Sequence, residues 1–111
     1  MNEIERIENL DSLATLKNLK LYENKIKRIE GIDNLVSLEA LDLGWNKISR
    51  IGGLDALGHL KDLDLRKNKI SKIEGLETLG NLRSVRLQKN MILEEECNAF
   101  RNRYPRIKVS C

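Results

Sequence analysis

The amino-acid sequence predicts an α/β solenoid. This is a right-handed coil with a parallel sheet on its concave face, short 3₁₀ or irregular segments on its convex face and a helical cap at its C-terminal end. Two observations predict it. Asparagines recur at Asn24, Asn46, Asn68 and Asn90, each 22 residues from the next, and leucines and isoleucines recur in step with them. The copies read LKNLKLYENKIKRIEGIDNLVS from Leu16, LEALDLGWNKISRIGGLDALGH from Leu38, LKDLDLRKNKISKIEGLETLGN from Leu60 and LRSVRLQKNMI from Leu82. A fixed period of this kind marks stacked units that bury their apolar faces only against their neighbours.

Each unit opens on a strand. Leu19 and Leu21, Leu41 and Leu43, Leu63 and Leu65, and Val85 and Leu87 alternate with mostly polar residues, the period-two pattern of a strand with one buried face. Every copy runs the same way round the coil, so the strands are expected to lie parallel, about 4.8 Å apart. The return path of the first copy carries Ile26, Ile29, Ile32 and Leu35, and that spacing of three suits a 3₁₀ or irregular turn.

Asn24, Asn46, Asn68 and Asn90 stand where the chain leaves the sheet. A buried polar group without a partner costs about 1–3 kcal/mol, and stacked amides can bridge the backbones of adjacent coils. They are read as an internal ladder. Gly31, Gly53 and Gly75 fit a tight backbone position that disfavours a Cβ atom.

The chain divides as one domain: a partial repeat over 1–15, repeats over 16–92 and a helix–strand cap over 93–111. In the first part, Ile4, Ile7, Leu10 and Leu13 match the second half of a repeat, with Asn9 at the glycine position. The acidic, interrupted start lacks the basic leader and apolar core of a signal peptide, and no run of about 18 apolar residues is present to span a bilayer. In the last part, Leu93, Cys97, Phe100 and Tyr104 fall at helical spacing. Glu94, Glu95 and Glu96 come first and Arg101, Arg103 and Arg106 follow, an order that suits the helix dipole. Pro105 stops the helix, and Ile107 and Val109 alternate as a final strand. Leu93, Cys97 and Phe100 are expected to cover the last coil.

Charged residues make up 33% of the chain and aromatics only 4%, so the core must be leucine and isoleucine. A net charge of +3 does not by itself argue for a nucleic-acid partner. Cys97 and Cys111 lack metal-ligand spacing. They are read as reduced thiols of a cytoplasmic chain, with a link between them remaining open. His59, the single histidine, takes a position filled by Ser37 and Asn81 in neighbouring copies, which points to an exposed turn. No phosphate loop, zinc-ligand cluster or nucleophile motif is present, and no cofactor is expected. Asp62 and Asp64 form a carboxylate pair on one strand, and without a base or pocket signal they read as part of a charged binding face rather than a catalytic pair.

Each full copy reads L-x-x-L-x-L-x-x-N-x-I-x-x-I-x-G-[IL]-x-x-L, and from about Ile4 to Ile92 the chain resembles the leucine-rich repeat family. Its N-x-I-x-x-I-x-G-L-x-x-L portion is similar to the 22-residue class found in the regulatory subunit of protein phosphatase 1, an axonemal dynein light chain and bacterial internalins. The resemblance implies a scaffolding or regulatory role and binding through the concave sheet face. The alignment of the copies sets Lys20, Tyr22 and Glu23 there, beside Asn18, followed by Asp42 and Trp45 with Ala40 and Gly44. The next copies supply Asp62, Asp64, Arg66 and Lys67, then Arg86, Gln88 and Lys89 beside Ser84. Trp45 near Tyr22 and Arg66 has the composition of an interface hot spot.

A second surface repeats as well. Lys25, Lys47 and Lys69 follow the asparagines, and Arg28, Arg50 and Lys72 precede the second isoleucine, with Glu30, Glu74, Asp33, Asp55 and Glu77 close by to offset them. The sequence thus points to a non-catalytic module that binds a partner protein through its concave face. The alternative is a basic-surface adaptor for a polyanion such as RNA, tubulin or an anionic membrane. Four strands of about five residues give a projected patch of roughly 300 Å², below the roughly 800 Å² per partner of a stable interface. The expected state is therefore a monomer, or a weak homo-oligomer that enlarges the contact through an exposed N-terminal coil.

Overall fold

The computed structural model describes residues 2–111. Five short strands, β1 (Asn18–Lys20), β2 (Ala40–Asp42), β3 (Asp62–Asp64), β4 (Ser84–Arg86) and β5 (Lys108–Ser110), form one parallel sheet in sequence order, with helix α1 (Glu94–Arg103) between the last two. Leu19 lies beside Leu41, Leu41 beside Leu63, Leu63 beside Val85 and Val85 beside Val109. The first three of these offsets equal the sequence period, so each coil repeats the one before it.

The convex returns are irregular. Leu35 donates to Ile32 O and Leu38 to Leu35 O, both at 3.0 Å, and Leu57 and Leu60 repeat the pattern on Leu54 and Leu57. These three-residue closures turn one apolar side chain per step inward, which is why the spacing was three. Leu35, Leu38, Leu43, Leu54, Leu57 and Leu60 are all fully buried in a single core that runs the length of the stack.

The asparagines tie the coils together. Ile26 N–H donates to Asn46 Oδ1 at 3.0 Å, Ile48 N–H to Asn68 Oδ1 at 2.9 Å and Ile70 N–H to Asn90 Oδ1 at 2.9 Å, while Ile4 N–H reaches Asn24 Oδ1 at 3.0 Å. In return, Asn46 Nδ2 donates to Leu21 O of the preceding coil and Leu43 O of its own, both at 3.0 Å.

Gly53 shows what the repeat glycine is for. It has φ +68°, and a Cβ there would run into the Ile29 carbonyl oxygen of the coil before; at Gly31 and Gly75 the same atom would lie 2.7 Å from Ile7 O and 2.8 Å from Ile51 O. Asn9, at the corresponding place in the first coil, has φ 63°, a conformation asparagine tolerates better than most residues. Gly53→Ala is expected to cost about 2–3 kcal/mol, combining left-handed strain with displacement of a neighbouring backbone. Gly52, whose added Cβ would meet nothing within 4 Å, is the control: Gly52→Ala should stay within about 0.5 kcal/mol of wild type in urea unfolding.

At the C-terminal end, two expectations are corrected. Leu93 does not cover the last coil: it is the N-cap residue of α1, with φ −68° and ψ 143°, and is 67% exposed. An extended cap residue points its side chain off the inner face that Cys97 and Phe100 occupy. Cys97 is buried, Phe100 packs against the core, and Tyr104 stacks on Phe100 with ring centroids 4.8 Å apart. Nor are the cysteines reduced: Cys97 and Cys111 form a disulfide, with Cα atoms 6.6 Å apart. The chain reverses after α1, and β5 carries Cys111 back against the helix face that holds Cys97.

Candidate functional site

The sheet face is built in rows. The register sets Asn18, Ala40, Asp62, Ser84 and Lys108 side by side, and likewise Lys20, Asp42, Asp64, Arg86 and Ser110. Side chains alternate along a strand, so these residues face away from the core that Leu19, Leu41, Leu63 and Val85 fill. Beyond the strands the coils stay bonded, with Glu23 N–H to Gly44 O at 3.0 Å, Trp45 N–H to Arg66 O at 2.8 Å and Lys67 N–H to Gln88 O at 2.9 Å. Tyr22, Gly44, Arg66 and Gln88 therefore form a third row, and Glu23, Trp45, Lys67 and Lys89 a fourth. A shallow trough of about 270 Å³ runs over the first two rows, lined among others by Lys20, Ala40, Asp42, Asp62, Asp64 and Arg86.

Asp64 is the best-anchored polar side chain of the trough. It is only 9% exposed. Arg66 Nη2 donates to its Oδ2 at 2.7 Å and Arg66 Nε to its Oδ1 at 3.0 Å, while Arg66 N–H donates to Oδ1 at 3.1 Å. Arg86 adds an ion pair at 3.9 Å. The hydrogen bond and then the charge of Asp64 raise the Arg66 pKa further above its ordinary value, so the guanidinium stays charged. That guanidinium lies 5.3 Å from the Trp45 ring centroid. Asp64, Arg66 and Trp45 thus form one held chain of side chains across two coils. Asp42 repeats the local turn, accepting Gly44 N–H at 3.0 Å, and Asp62 accepts the Ser84 hydroxyl at 2.7 Å.

Trp45 sits in an unusual backbone position. The residue before each ladder asparagine is left-handed: φ is 58° at Glu23, 55° at Trp45, 55° at Lys67 and 61° at Lys89. Such a conformation disfavours any residue with a Cβ by about 1–2 kcal/mol. Trp45 is also 39% exposed. The left-handed turn itself therefore does not call for a tryptophan there.

Asp42, Trp45, Asp64, Arg66 and Arg86 are brought together. Glu23, Lys67 and Lys89 stand on the rim, all exposed, and Tyr22 is 47% exposed on the neighbouring coil. Gln88 has its Oε1 buried without a hydrogen-bond partner among the described residues. Lys108 and Ser110 belong to the face too, because β5 adds a fifth strand. The alternation of Ile107 and Val109 signals that strand, but nothing in the repeat assigns it to this sheet. His59 is exposed. In the basic columns, Lys25 pairs with Glu3 at 3.3 Å and Arg50 with Glu74 at 3.4 Å; Lys47, Lys69, Arg28 and Lys72 make no ion pair within 4 Å among the described residues. Among the described residues no helix is long and apolar enough to cross a membrane.

No family model matches the chain, and no curated protein matches it in sequence. Solved structures do. An internalin from Listeria monocytogenes superposes with a TM-score of 0.83 at 30% identity, over 97% of this chain and 32% of its own. A leucine-rich repeat protein from Leptospira interrogans gives 0.77 at 29% identity, over 86% of this chain and 25% of its own. A second Listeria monocytogenes internalin gives 0.72 at 33% identity, over 81% of this chain and 40% of its own. The chain thus spans less than half the length of each of these proteins. With coils in register, an asparagine on every turn and these likenesses, the chain belongs to the leucine-rich repeat family.

Proposed function

We propose that the chain is a non-catalytic interaction module that binds a partner protein through its concave sheet face, centred on Asp42, Trp45, Asp64 and Arg66. One observation carries this reading. A large aromatic side chain is kept in a left-handed backbone position that disfavours it, and it is held half-exposed beneath a guanidinium clamped by Asp64. An exposed, pre-oriented tryptophan beside an arginine is the composition of an interface hot spot, and holding it in place reduces the ordering cost of binding. Five strands rather than four raise the projected face to roughly 400 Å².

The rival reading places a polyanion on the basic columns, supported by the lysines and arginines that lack ion pairs. Salt separates the two. The test is capture from a cell extract on immobilised wild type and on Trp45→Asn, washed at low and high salt. Proteins lost with the variant and retained through salt support the concave face. Binding that ignores the variant and weakens about a thousandfold or more between roughly 50 and 200 mM salt assigns the basic columns instead. A cytoplasmic site of action would expose the Cys97–Cys111 bond to reducing thiols. Counting free thiols in protein taken directly from cells decides whether the chain works there.

A further inference from the structure

The charges of the sheet face are ordered along the stack. Asp62 precedes Lys108 in the first row, Asp42 precedes Arg86 in the second, and Glu23 precedes Lys67 and Lys89 in the fourth. Lys20, in register with Asp42, is the exception. At the capped end, the face of β4 and β5 carries Arg86, Lys89 and Lys108, all exposed, and no carboxylate. Toward the other end, Asp42 accepts the Gly44 N–H and Asp62 the Ser84 hydroxyl, and neither forms an ion pair within 4 Å among the described residues. Asp64, beside them, is already held by Arg66 at 2.7 Å, and its 3.9 Å contact with Arg86 leaves that guanidinium side chain 58% exposed.

The shape of the trough limits what can lie in it. Ala40, in register with Asp62 and two residues from Asp42, adds only a methyl group, so both carboxylates border open space. The two rows under the trough are two residues apart, about 6.6 Å, a width that takes an extended chain but not a helix of about 10 Å diameter. From Asp42 to Arg86 is two strand spacings, about 10 Å, the reach of roughly three residues of extended chain.

We propose that the partner protein lays an extended segment across the strands in this trough, with a lysine or arginine against Asp42 and Asp62 and an aspartate or glutamate against Arg86 and Lys108. The inference rests on the concave face being the binding face, and adds the chemistry of what it binds. Reversing the segment would set like charges together at both ends, so the charge order fixes its orientation. A polyphosphate does not suit this face, because its uniform negative charge meets Asp42, Asp62 and Glu23 on the way to the cations. Exposed ion pairs contribute little each. They select the segment, while Trp45 supplies the larger share of affinity.

The test is selection of a displayed library of random peptides of about twelve residues, long enough to cross the sheet, on the immobilised chain. Retained peptides are expected to carry a basic residue roughly three to five positions from an acidic one, in either chain direction. Arg86→Gln combined with Lys108→Gln should weaken their binding about fivefold or more, while Arg28→Gln combined with Lys72→Gln, which removes the same charge outside the face, should leave it within about twofold. Both double variants should keep the wild-type circular dichroism. Peptides that require Trp45 but are uniformly acidic or show no charge order overturn the proposal alone. Peptides indifferent both to Trp45→Asn and to the Arg86 and Lys108 variant overturn the concave-face reading with it. Equal weakening by the two double variants makes binding a matter of net charge and also overturns the proposal. So does a library from which nothing is retained, an outcome that leaves the concave face open to a folded partner surface.

Discussion

Asn68→Leu is expected to lower the stability of the chain by about 4 kcal/mol, a fall in Tm of roughly 15–25 °C. Asn68 lies in the middle of the ladder and is 8% exposed. Its Oδ1 is the hydrogen-bond partner of Ile48 N–H at 2.9 Å, and its Nδ2 donates to Leu43 O at 3.0 Å, Leu65 O at 3.1 Å and Arg66 O at 3.2 Å. Leucine fills a similar volume but leaves Ile48 N–H buried and unpaired, costing about 1–3 kcal/mol alone. The three carbonyls keep other donors, namely Asn46, Asn90 and Trp45, so each loses only part of its bonding. Asn68→Asp should not rescue: it restores the acceptor for Ile48 but sets a carboxylate against three carbonyl oxygens. Asn90→Leu, at the less buried end of the ladder, should cost less than Asn68→Leu. A loss below about 1 kcal/mol for Asn68→Leu in urea unfolding, where a single buried unpaired group already exceeds that value, would mean that the ladder does not hold the coils.

Trp45→Asn is expected to do the reverse, leaving stability within about 1 kcal/mol of wild type while weakening capture of the partner about thirtyfold or more. Asparagine is favoured in the left-handed region, and that gain offsets lost contact with the Arg66 guanidinium, an exposed cation–π pair contributing about 0.5–1 kcal/mol. Loss of an interface hot spot costs about 2 kcal/mol or more of binding, which sets the thirtyfold figure. A variant that melts well below wild type would make Trp45 a structural residue. One that folds and captures as before would remove it from the interface.

The fold was legible because its constraints are local and repeated. Leu19, Leu41, Leu63 and Val85 had to face inward together once the period aligned them, and the asparagines required backbone partners at every turn. Legibility ended where the repeat ended. Leu93 fits a helical stripe in sequence, yet one residue separates an N-cap from the helix it precedes, and that residue's backbone is extended. The Cys97–Cys111 bond depends on a chain reversal whose span no spacing rule fixes. On the sheet face, alignment identified the side chains but not their mutual grip. Asp64 and Arg66 are two residues apart, and only the geometry shows the guanidinium turned back onto its carboxylate and across onto Trp45 of the preceding coil. Lys108 and Ser110 are invisible to the repeat because β5 joins the sheet through the register of β4, outside the period.

Binding at the concave face is read most directly from the resonances of ¹⁵N-labelled chain as captured partner is added. The expected result is a shift or broadening of the Trp45 indole and of the Asp42, Asp64 and Arg66 amides, with Arg28, Arg50 and Lys72 of the basic columns unmoved. Perturbation confined to those basic-column residues, with the Trp45 indole unchanged at saturation, would contradict it.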